Sequence, residues 1–566
     1  MTKKALLLAL TLSLAELAPA QTCNCNNETV FLHGNVLTVD PKDHIAQAMA
    51  ISGNRITAVG SDKEIARRVR RGTTVIDLAG RTVIPGLTDA HIHAIRGGQS
   101  FEFETHWNDA TSLSAALQEL AAAAANRPSN QWVVVGGAWH PEQFDVKRAP
   151  TIAELNNAVP NHPAVVMFQY DWAILNNRGI EVLGLDTATP QVPPGVIVER
   201  DQAGRPTGLL RGGIGPFSTL LAKIMRINET DRKESLREFL AKLTAFGVTG
   251  VVDAAGGGSD ASVYDPVFAL WKEKRLPVRV AYRVSAQSPD NEPAWFRQTL
   301  AYVAPHLGDD YLHFAGLGEI VVFGMNDGTR LTPGFTPPPE AETRLFDVAS
   351  WAAEQGYLME IHAYTNDSAN RILDVLERVA KTHPIHDLRW SIAHISTGTA
   401  ATFSRMKALG LAYNIQDNLY FEGPQLKTSV SDEAATNSAP TRLAFDTGLM
   451  VAGGTDATRV SPYNTMSAIQ FQVDGLSVAG SVVRDPRLRA TRLQALRMYT
   501  LNSAWLVRDD DQRGSIEVGK LADLAVLNKG FLDVPVSEIG SIRSVLTLVG
   551  GKVVFADRPF KNLAQH

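Results

Sequence analysis

The stretch Val83-Ile84-Pro85-Gly86-Leu87-Thr88-Asp89-Ala90-His91-Ile92-His93 is an apolar run interrupted by Pro-Gly and closed by a His-x-His pair. In a β-strand residues i and i+2 point to one face, so the two imidazoles converge on one point. Neutral imidazole is a common nitrogen ligand for zinc-like ions, and catalytic sites take three protein ligands and leave a position open for water. Two histidines begin such a site. Others must complete it.

Three further segments answer the pair. Tyr357-Leu358-Met359-Glu360-Ile361-His362 and Leu388-Arg389-Trp390-Ser391-Ile392-Ala393-His394 are short apolar runs that end in histidine, and Leu449-Met450-Val451-Ala452-Gly453-Gly454-Thr455-Asp456 ends in aspartate. A single histidine is more often a satisfied core residue. Four of the chain's 14 histidines at strand ends, with an aspartate as fifth partner, favour a metal centre instead.

The order His-x-His, His, His, Asp resembles the amidohydrolase superfamily of metal-dependent hydrolases. The closer resemblance is to amidohydrolase family 3, the N-substituted formamide deformylase-like enzymes. It is carried by Val83 to His93, Gly136-Gly137-Ala138-Trp139, Gly247 to Ala254, Ile361-His362-Ala363, Gly514 to Leu527 and Leu548 to Val554. The resemblance implies an α/β fold, a (β/α)8 TIM-type barrel over residues 84–509. Two histidines would end strand 1, one each strands 5 and 6, and an aspartate strand 8. It also implies a small β-sandwich built from residues 28–83 and 510–560.

With 566 residues the chain has room for such a barrel and a second domain. Hydrophobic residues make up 45% and charged residues 20%, and the net charge is −5, which gives no reason to expect nucleic acid as a partner. Lys3-Lys4, the apolar Ala5 to Ala15 and Ala18-Pro19-Ala20 follow the pattern of a secretory signal peptide over residues 1–20, so a periplasmic or extracellular location is expected. No later segment is long and apolar enough to span a membrane, so stable insertion is not expected. The only cysteines, Cys23 and Cys25, lie just past the cut and lack further zinc ligands beside them.

Short runs alternating with Gly and Asn in residues 28–82 predict an antiparallel sheet, and residues 514–556 share that texture. Between them strand-like and helix-like segments alternate. Ser112 to Ala125 and Glu229 to Phe246 read as helices; Trp132 to Gly136, Val248 to Asp253, Val278 to Val284 and Gly318 to Phe323 read as strands. Residues 139–230, rich in Pro, Asn and Gly, read as an insertion capping the mouth of the barrel.

Two departures from the resembled family bear on the site. Members commonly carry a lysine, carboxylated and bridging two metals, on the strand before an Asp-Gly. The corresponding Leu317 to Gly328 has none, and the position falls on Val321 or Phe323. Glu319 shares their strand face and could supply a carboxylate; without a bridge the centre would hold one ion. The second departure is Asp171 where relatives place a histidine, which points to a cationic or amine-bearing ligand. Trp139, His140, Tyr170, Trp172, Tyr420 and Phe421 form an aromatic set that suits an aryl or bulky hydrophobic substrate.

The expected protein is a secreted hydrolase that opens a carbon–nitrogen bond of a small molecule (an amide, N-acyl amine or cyclic amide). One or two divalent ions, zinc first, would be held by His91, His93, His362, His394, Asp456 and Glu319. Trp139, His140, Asp171, Trp172 and Tyr420 would contact substrate. In the resembled family the aspartate, here Asp456, takes the water's proton and delivers it to the leaving nitrogen. A deaminase, a lyase or isomerase, and an exported binding protein are the alternatives. The deaminase is disfavoured because no glutamate follows His362 closely. The sequence leaves the oligomeric state open, a homo-oligomer included.

Overall fold

The computed structural model describes residues 28–564 other than 188, 257–260, 329–330, 332–333, 424–425, 427–429, 432–433 and 436. The expected signal peptide, Cys23 and Cys25 lie outside the described residues.

Eight short parallel strands organise the centre of this mixed α/β chain. They are β1 (Leu87–Ile92), β2 (Val248–Asp253), β3 (Arg279–Val284), β4 (Leu312–Leu317), β5 (Glu360–Ala363), β6 (Ser391–His394), β7 (Ala412–Ile415) and β8 (Met450–Gly453). They form two four-stranded sheets, β1-β2-β3-β4 and β5-β6-β7-β8. Both faces are covered, which is why β2 (Val-Thr-Gly-Val-Val-Asp) is buried at every position rather than at alternate ones. Helices follow the strands, for example Asn366–Ala380 after β5. It starts at a Thr365 cap and buries Ile372, Leu373, Val375, Leu376 and Val379 at helical spacing.

The expected continuous ladder around a closed barrel is not seen among the described residues. The sheets meet at two seams instead. At one, Leu317 donates its N–H to Leu358 O at 2.9 Å. Gly316 and Gly318 allow that approach, since a Cβ would meet the Leu358 carbonyl oxygen at 2.0 Å and that of Glu360 at 2.3 Å respectively. At the other, Asp456 N–H donates to His91 O and His93 N–H to Ala457 O, both at 2.8 Å. β4 also differs from expectation. The strand is Leu312–Leu317, and Gly318 to Val322, read as strand from sequence, is loop.

The two ends of the chain interleave. Lys552–Ala556, Ser544–Val549 and Leu524–Leu527 extend a sheet with Thr82–Pro85, Asn35–Leu37 and Ile45–Ala46. A second sheet holds Arg55–Gly60, Ala48–Ser52, Glu28–Leu32 and Thr74–Asp77. Phe31, Met49, Ile51, Ile56, Leu524, Val526, Leu546 and Leu548 form a common core. Both sheets are mixed rather than purely antiparallel, because Glu28–Leu32 runs parallel to Thr74–Asp77 and Asn35–Leu37 to Thr82–Pro85. A buried ion pair, Arg279 Nε to Asp523 Oδ2 at 2.7 Å, ties β3 to this unit.

Between β1 and β2 a five-stranded sheet stands apart, made of Val133–Val135, Ala164–Phe168, Trp172–Leu175, Pro206–Arg211 and Ile197–Arg200. The separate sheet therefore starts at Val133, ahead of residue 139. Two apolar cores of its own pack its faces.

Candidate metal centre

Parallel strands expose side chains where they end and the chain turns, and here six such ends converge. His91 lies in β1, with His93 just past its end. Glu319 lies two residues past β4, His362 in β5, His394 at the end of β6, and Asp456 three residues past β8. All six are buried. His93 Nε2 lies 3.2 Å from Asp456 Oδ1 and 3.3 Å from Glu319 Oε1. Glu319 Oε2 faces His362 Nδ1 at 2.8 Å and His394 Nε2 at 3.2 Å. His91 Nε2 is 3.7 Å from both Glu319 Oε2 and Asp456 Oδ1. Thus the two oxygens of Glu319 divide between His93 on one side and His362 with His394 on the other.

This donor set fits a divalent ion. His91, His93 and Asp456 bring one ligand atom each within 4.8 Å of one another, as do His91, Glu319 and His394. His91 Nε2 is buried without a hydrogen-bond partner, and its Nδ1 is fixed at 2.8 Å from Glu360 Oε1. A carboxylate behind a ring nitrogen sets the tautomer and leaves the other nitrogen free to ligate. Nitrogen with carboxylate oxygen suits zinc and its neighbours rather than calcium or magnesium.

A family model described as amidohydrolase family matches residues 74–555. The chain belongs to the amidohydrolase family. It is 26% identical over 546 residues to N-substituted formamide deformylase of Arthrobacter pascens, covering 93% of this chain and 97% of that protein. An uncharacterized metal-dependent hydrolase from Pyrococcus horikoshii shares the fold at a TM-score of 0.67 and 18% identity, over 90% of this chain and 99% of that one. An atrazine chlorohydrolase from Arthrobacter aurescens TC1 complexed with zinc aligns at a TM-score of 0.52 and 15% identity, over 93% and 95%. As an amidohydrolase the chain is a metal-dependent hydrolase acting on a small molecule. No helix among the described residues is long and apolar enough to cross a membrane.

Charge in this amidohydrolase site is arranged for a cation. Burial and the Arg96 charge oppose protonation of His93, yet hydrogen bonds to Asp456 and Glu319 raise it to about 10. Burial likewise opposes protonation of His362, which the Asp327 and Glu319 carboxylates carry to about 10. Burial would raise Glu319, but hydrogen bonds from His362, His394 and His93 hold it well below the usual range. Burial and the neighbouring His362 lower His394. The carboxylates thus draw positive charge onto their neighbours, and an ion would satisfy them equally.

Beneath the cluster lies a support layer. Glu360 is fully buried and accepts from Arg283 Nη1 at 2.7 Å, Ser391 Oγ at 2.7 Å and Asn414 Nδ2 at 2.8 Å besides pairing with His91. Burial raises its carboxyl, but the Arg283 charge and these partners bring it down to about 2. Asp89 accepts from Thr455 Oγ1 at 2.6 Å and bridges β1 to the turn carrying Asp456. Asp327 accepts from the Tyr364 and Thr365 amides and faces His362.

Sequence reading reached all six residues of the cluster but not this layer. The signal was present. Glu360 and Asp89 each stand two residues before a cluster histidine, so each shares its strand face, and a charge inside an apolar run needs a buried partner. At the positions matched to the family's lysine, Val321 packs in the main core and Phe323 against it. Glu319, two residues past β4, is the side chain that enters the cluster.

The substrate-side expectations fare differently. The cleft over the cluster is lined by Arg96, Tyr170, Ile214, Tyr364, Thr458 and Arg459. Trp139, His140, Asp171, Trp172 and Tyr420 are not among its lining residues. Trp139 is fully buried among Trp107, Phe144, Phe168 and Trp172 in the separate sheet's core. His140 caps a short turn and stacks on Phe421. Asp171 lies in a tight turn, and Tyr420 packs on Phe471. Trp139 and Trp172 are therefore core of the separate sheet, Tyr420 packs against the main core, and the separate unit reaches the cleft through Tyr170 and Ile214.

Proposed function

We propose that this amidohydrolase opens a carbon–nitrogen bond (an amide, N-acyl amine or cyclic amide) at a centre of two zinc-type ions held by His91, His93, His362, His394, Asp456 and Glu319. The observation that carries the reading is that Glu319 turns Oε1 to His93 and Oε2 to His362, His394 and, at 3.7 Å, His91. A carboxylate so placed would be able to hold both ions, the part that the lysine plays in the resembled family. The whole-length likeness to a formamide deformylase supports the bond type.

A divalent ion, when bound, lowers the pKa of water to about 7 and so supplies the nucleophile at neutral pH. The chain does the rest. Asp456, held ionised against His93, accepts the water's proton and returns it to the leaving nitrogen. Arg96 makes no hydrogen bond or ion pair with a described residue. Arg459 is matched to Glu104 and Ser100. Arg96 therefore offers its guanidinium to an acidic group of the substrate, in place of the aromatic or cationic partner expected from sequence.

In the same reading the two parallel sheets are the halves of a (β/α)8 barrel, and residues 28–83 and 510–560 form the composite β-sandwich. The insertion caps the mouth, and residues 1–20 direct export. The test is amine release from a panel of N-substituted formamides and N-acyl amines, with and without an acidic substituent, by zinc-loaded enzyme and its Asp456→Asn variant. The variant should keep its zinc and lose at least 1,000-fold in turnover. Full activity in the variant, or no amine from any member of the panel, overturns the reading.

A further inference from the structure

We propose a second metal site, independent of the catalytic reading, at the opposite end of β4, where His306, His313 and Asp509 bind a zinc-type ion. These residues bring one ligand atom each within 4.8 Å of one another. Asp509 Oδ1 lies 3.4 Å from His306 Nε2 and 3.9 Å from His313 Nε2. The two rings stand 4.3 Å apart between centroids. An ion bonded at ~2.0–2.2 Å to each ligand in tetrahedral array separates them by roughly 3.3–3.6 Å, so only small movements close the site.

The buried member makes the case. His313 is 5% exposed, and its Nε2 has no hydrogen-bond partner although a carboxylate oxygen lies 3.9 Å away. The ring's hydrogen bond goes to the Asp309 backbone. If Nε2 carries no proton, a bare lone pair faces the carboxylate; if it does, a buried donor is left unused. Either state is costly in a buried site, and a cation between the two atoms removes the cost.

The surroundings prepare the ligands. Burial lowers His313 to about 4 against the pull of the Asp509 carboxylate. Arg513 holds the other oxygen of Asp509 through Nε and Nη2, each at 2.8 Å, and leaves Oδ1 turned toward the histidines. Arg513 Nη1 is itself fixed on Thr88 Oγ1 at 2.6 Å. His306, with 38% of its side chain exposed, gives the ion an entrance and leaves room for water as a fourth ligand.

Position separates this site from the catalytic one. His313 precedes Glu319 by six residues along β4 and its exit, about 20 Å at ~3.3 Å per residue. His306 belongs to the turn before β4, and Asp509 follows the helix Leu501–Leu506 behind β8. A bound ion would therefore staple the first parallel sheet to the C-terminal segment on the face away from the cleft. Such a site is structural.

The experiment is zinc counting by elemental analysis on full-length protein stripped with chelator, reloaded with zinc and desalted. Wild type is compared with His306→Ala and His313→Gln. His306→Ala removes a half-exposed side chain, so its zinc-free melting temperature should match wild type. It should hold one zinc per chain fewer and show a smaller zinc-induced rise in melting temperature. A Glu319→Gln variant separates the two sites, since it should lose catalytic zinc and keep the zinc that His306→Ala loses. Equal zinc content and an equal zinc-induced shift in wild type and His306→Ala overturn the proposal, whatever the catalytic centre does.

Discussion

Gly454 lies between β8 and the Asp456 it delivers, and its missing side chain sets the width of the seam with β1. A methyl group there would meet the His91 amide nitrogen at 2.4 Å and the His91 Cβ and carbonyl oxygen at 2.7 Å each. The first is about 1 Å inside ordinary contact, and two of the three atoms are backbone of a fully buried strand. No rotamer relieves that clash, so Gly454→Ala must part the strand ends. Parting them by about 1 Å stretches the 2.8 Å bond from Asp456 N–H to His91 O and moves Asp456 Oδ1 from 3.2 Å to about 4 Å from His93 Nε2. Overpacking of this kind costs ~1–3 kcal/mol, so the variant should still fold. Misplacement by 1 Å costs ~100-fold in rate. Competition with a chromogenic chelator for zinc, together with amine release, should show at least tenfold weaker zinc retention and about 100-fold lower turnover. Wild-type values for both would refute the claim that Gly454 sets the geometry.

Two further substitutions probe the charge layers. Arg96→Met should raise KM for substrates with an acidic group about 10- to 100-fold, the worth of a charge-assisted hydrogen bond at ~1.5–3 kcal/mol, and leave neutral substrates unchanged; an equal effect on both classes would assign Arg96 a structural role. Glu360→Gln strands the Arg283 charge in the core and should cost about 3–5 kcal/mol, with zinc affinity falling ~10- to 100-fold. Its pH signature has a definite sign. Because Glu360 is held at about 2, below the ~4.3 of an unfolded glutamate, its stabilisation is complete above that value and is lost as pH falls toward 2. Melting temperatures from pH 3 to 6 should show a shallower acid limb for Glu360→Gln, and parallel profiles would remove Glu360 from that role.

Histidines and aspartate at strand ends were legible because the signal is local: an apolar run, a ligand, then a turn. β4 was misplaced because the competing signals are also local. Glu319 to Phe323 carries the β-branched run, whereas the true strand is interrupted by His313 and Gly316. What decides between them is distant, since Gly316 and Gly318 must lie against the Leu358 and Glu360 carbonyls of the next strand. The aromatic set failed for a related reason. Trp139 and Trp172 read equally well as a pocket wall or a core, and only the five-stranded sheet, with its own packing faces, selects the core. Arg96 and Arg459 carry no periodic signal at all, and their meaning comes from what each does or does not face.

The proposed catalytic ligands also explain why two separate sheets stay docked. Glu319 comes from the first sheet and reaches His362 and His394 of the second, while His91 and His93 of the first meet Asp456 of the second. Glu360, from the second, is buried against Arg283 and His91 of the first. Apart from His93 with Glu319, both of the first sheet, these contacts cross a seam, and no sheet holds a complete ligand set alone. A ligand that binds only the docked state stabilises it by RT ln(1 + [L]/Kd), about 4 kcal/mol at 1,000 times Kd. The buried Glu360–Arg283 pair, which would contribute little as an isolated device, acts here by holding the His91 ring in place on an interface that the ion itself helps to close.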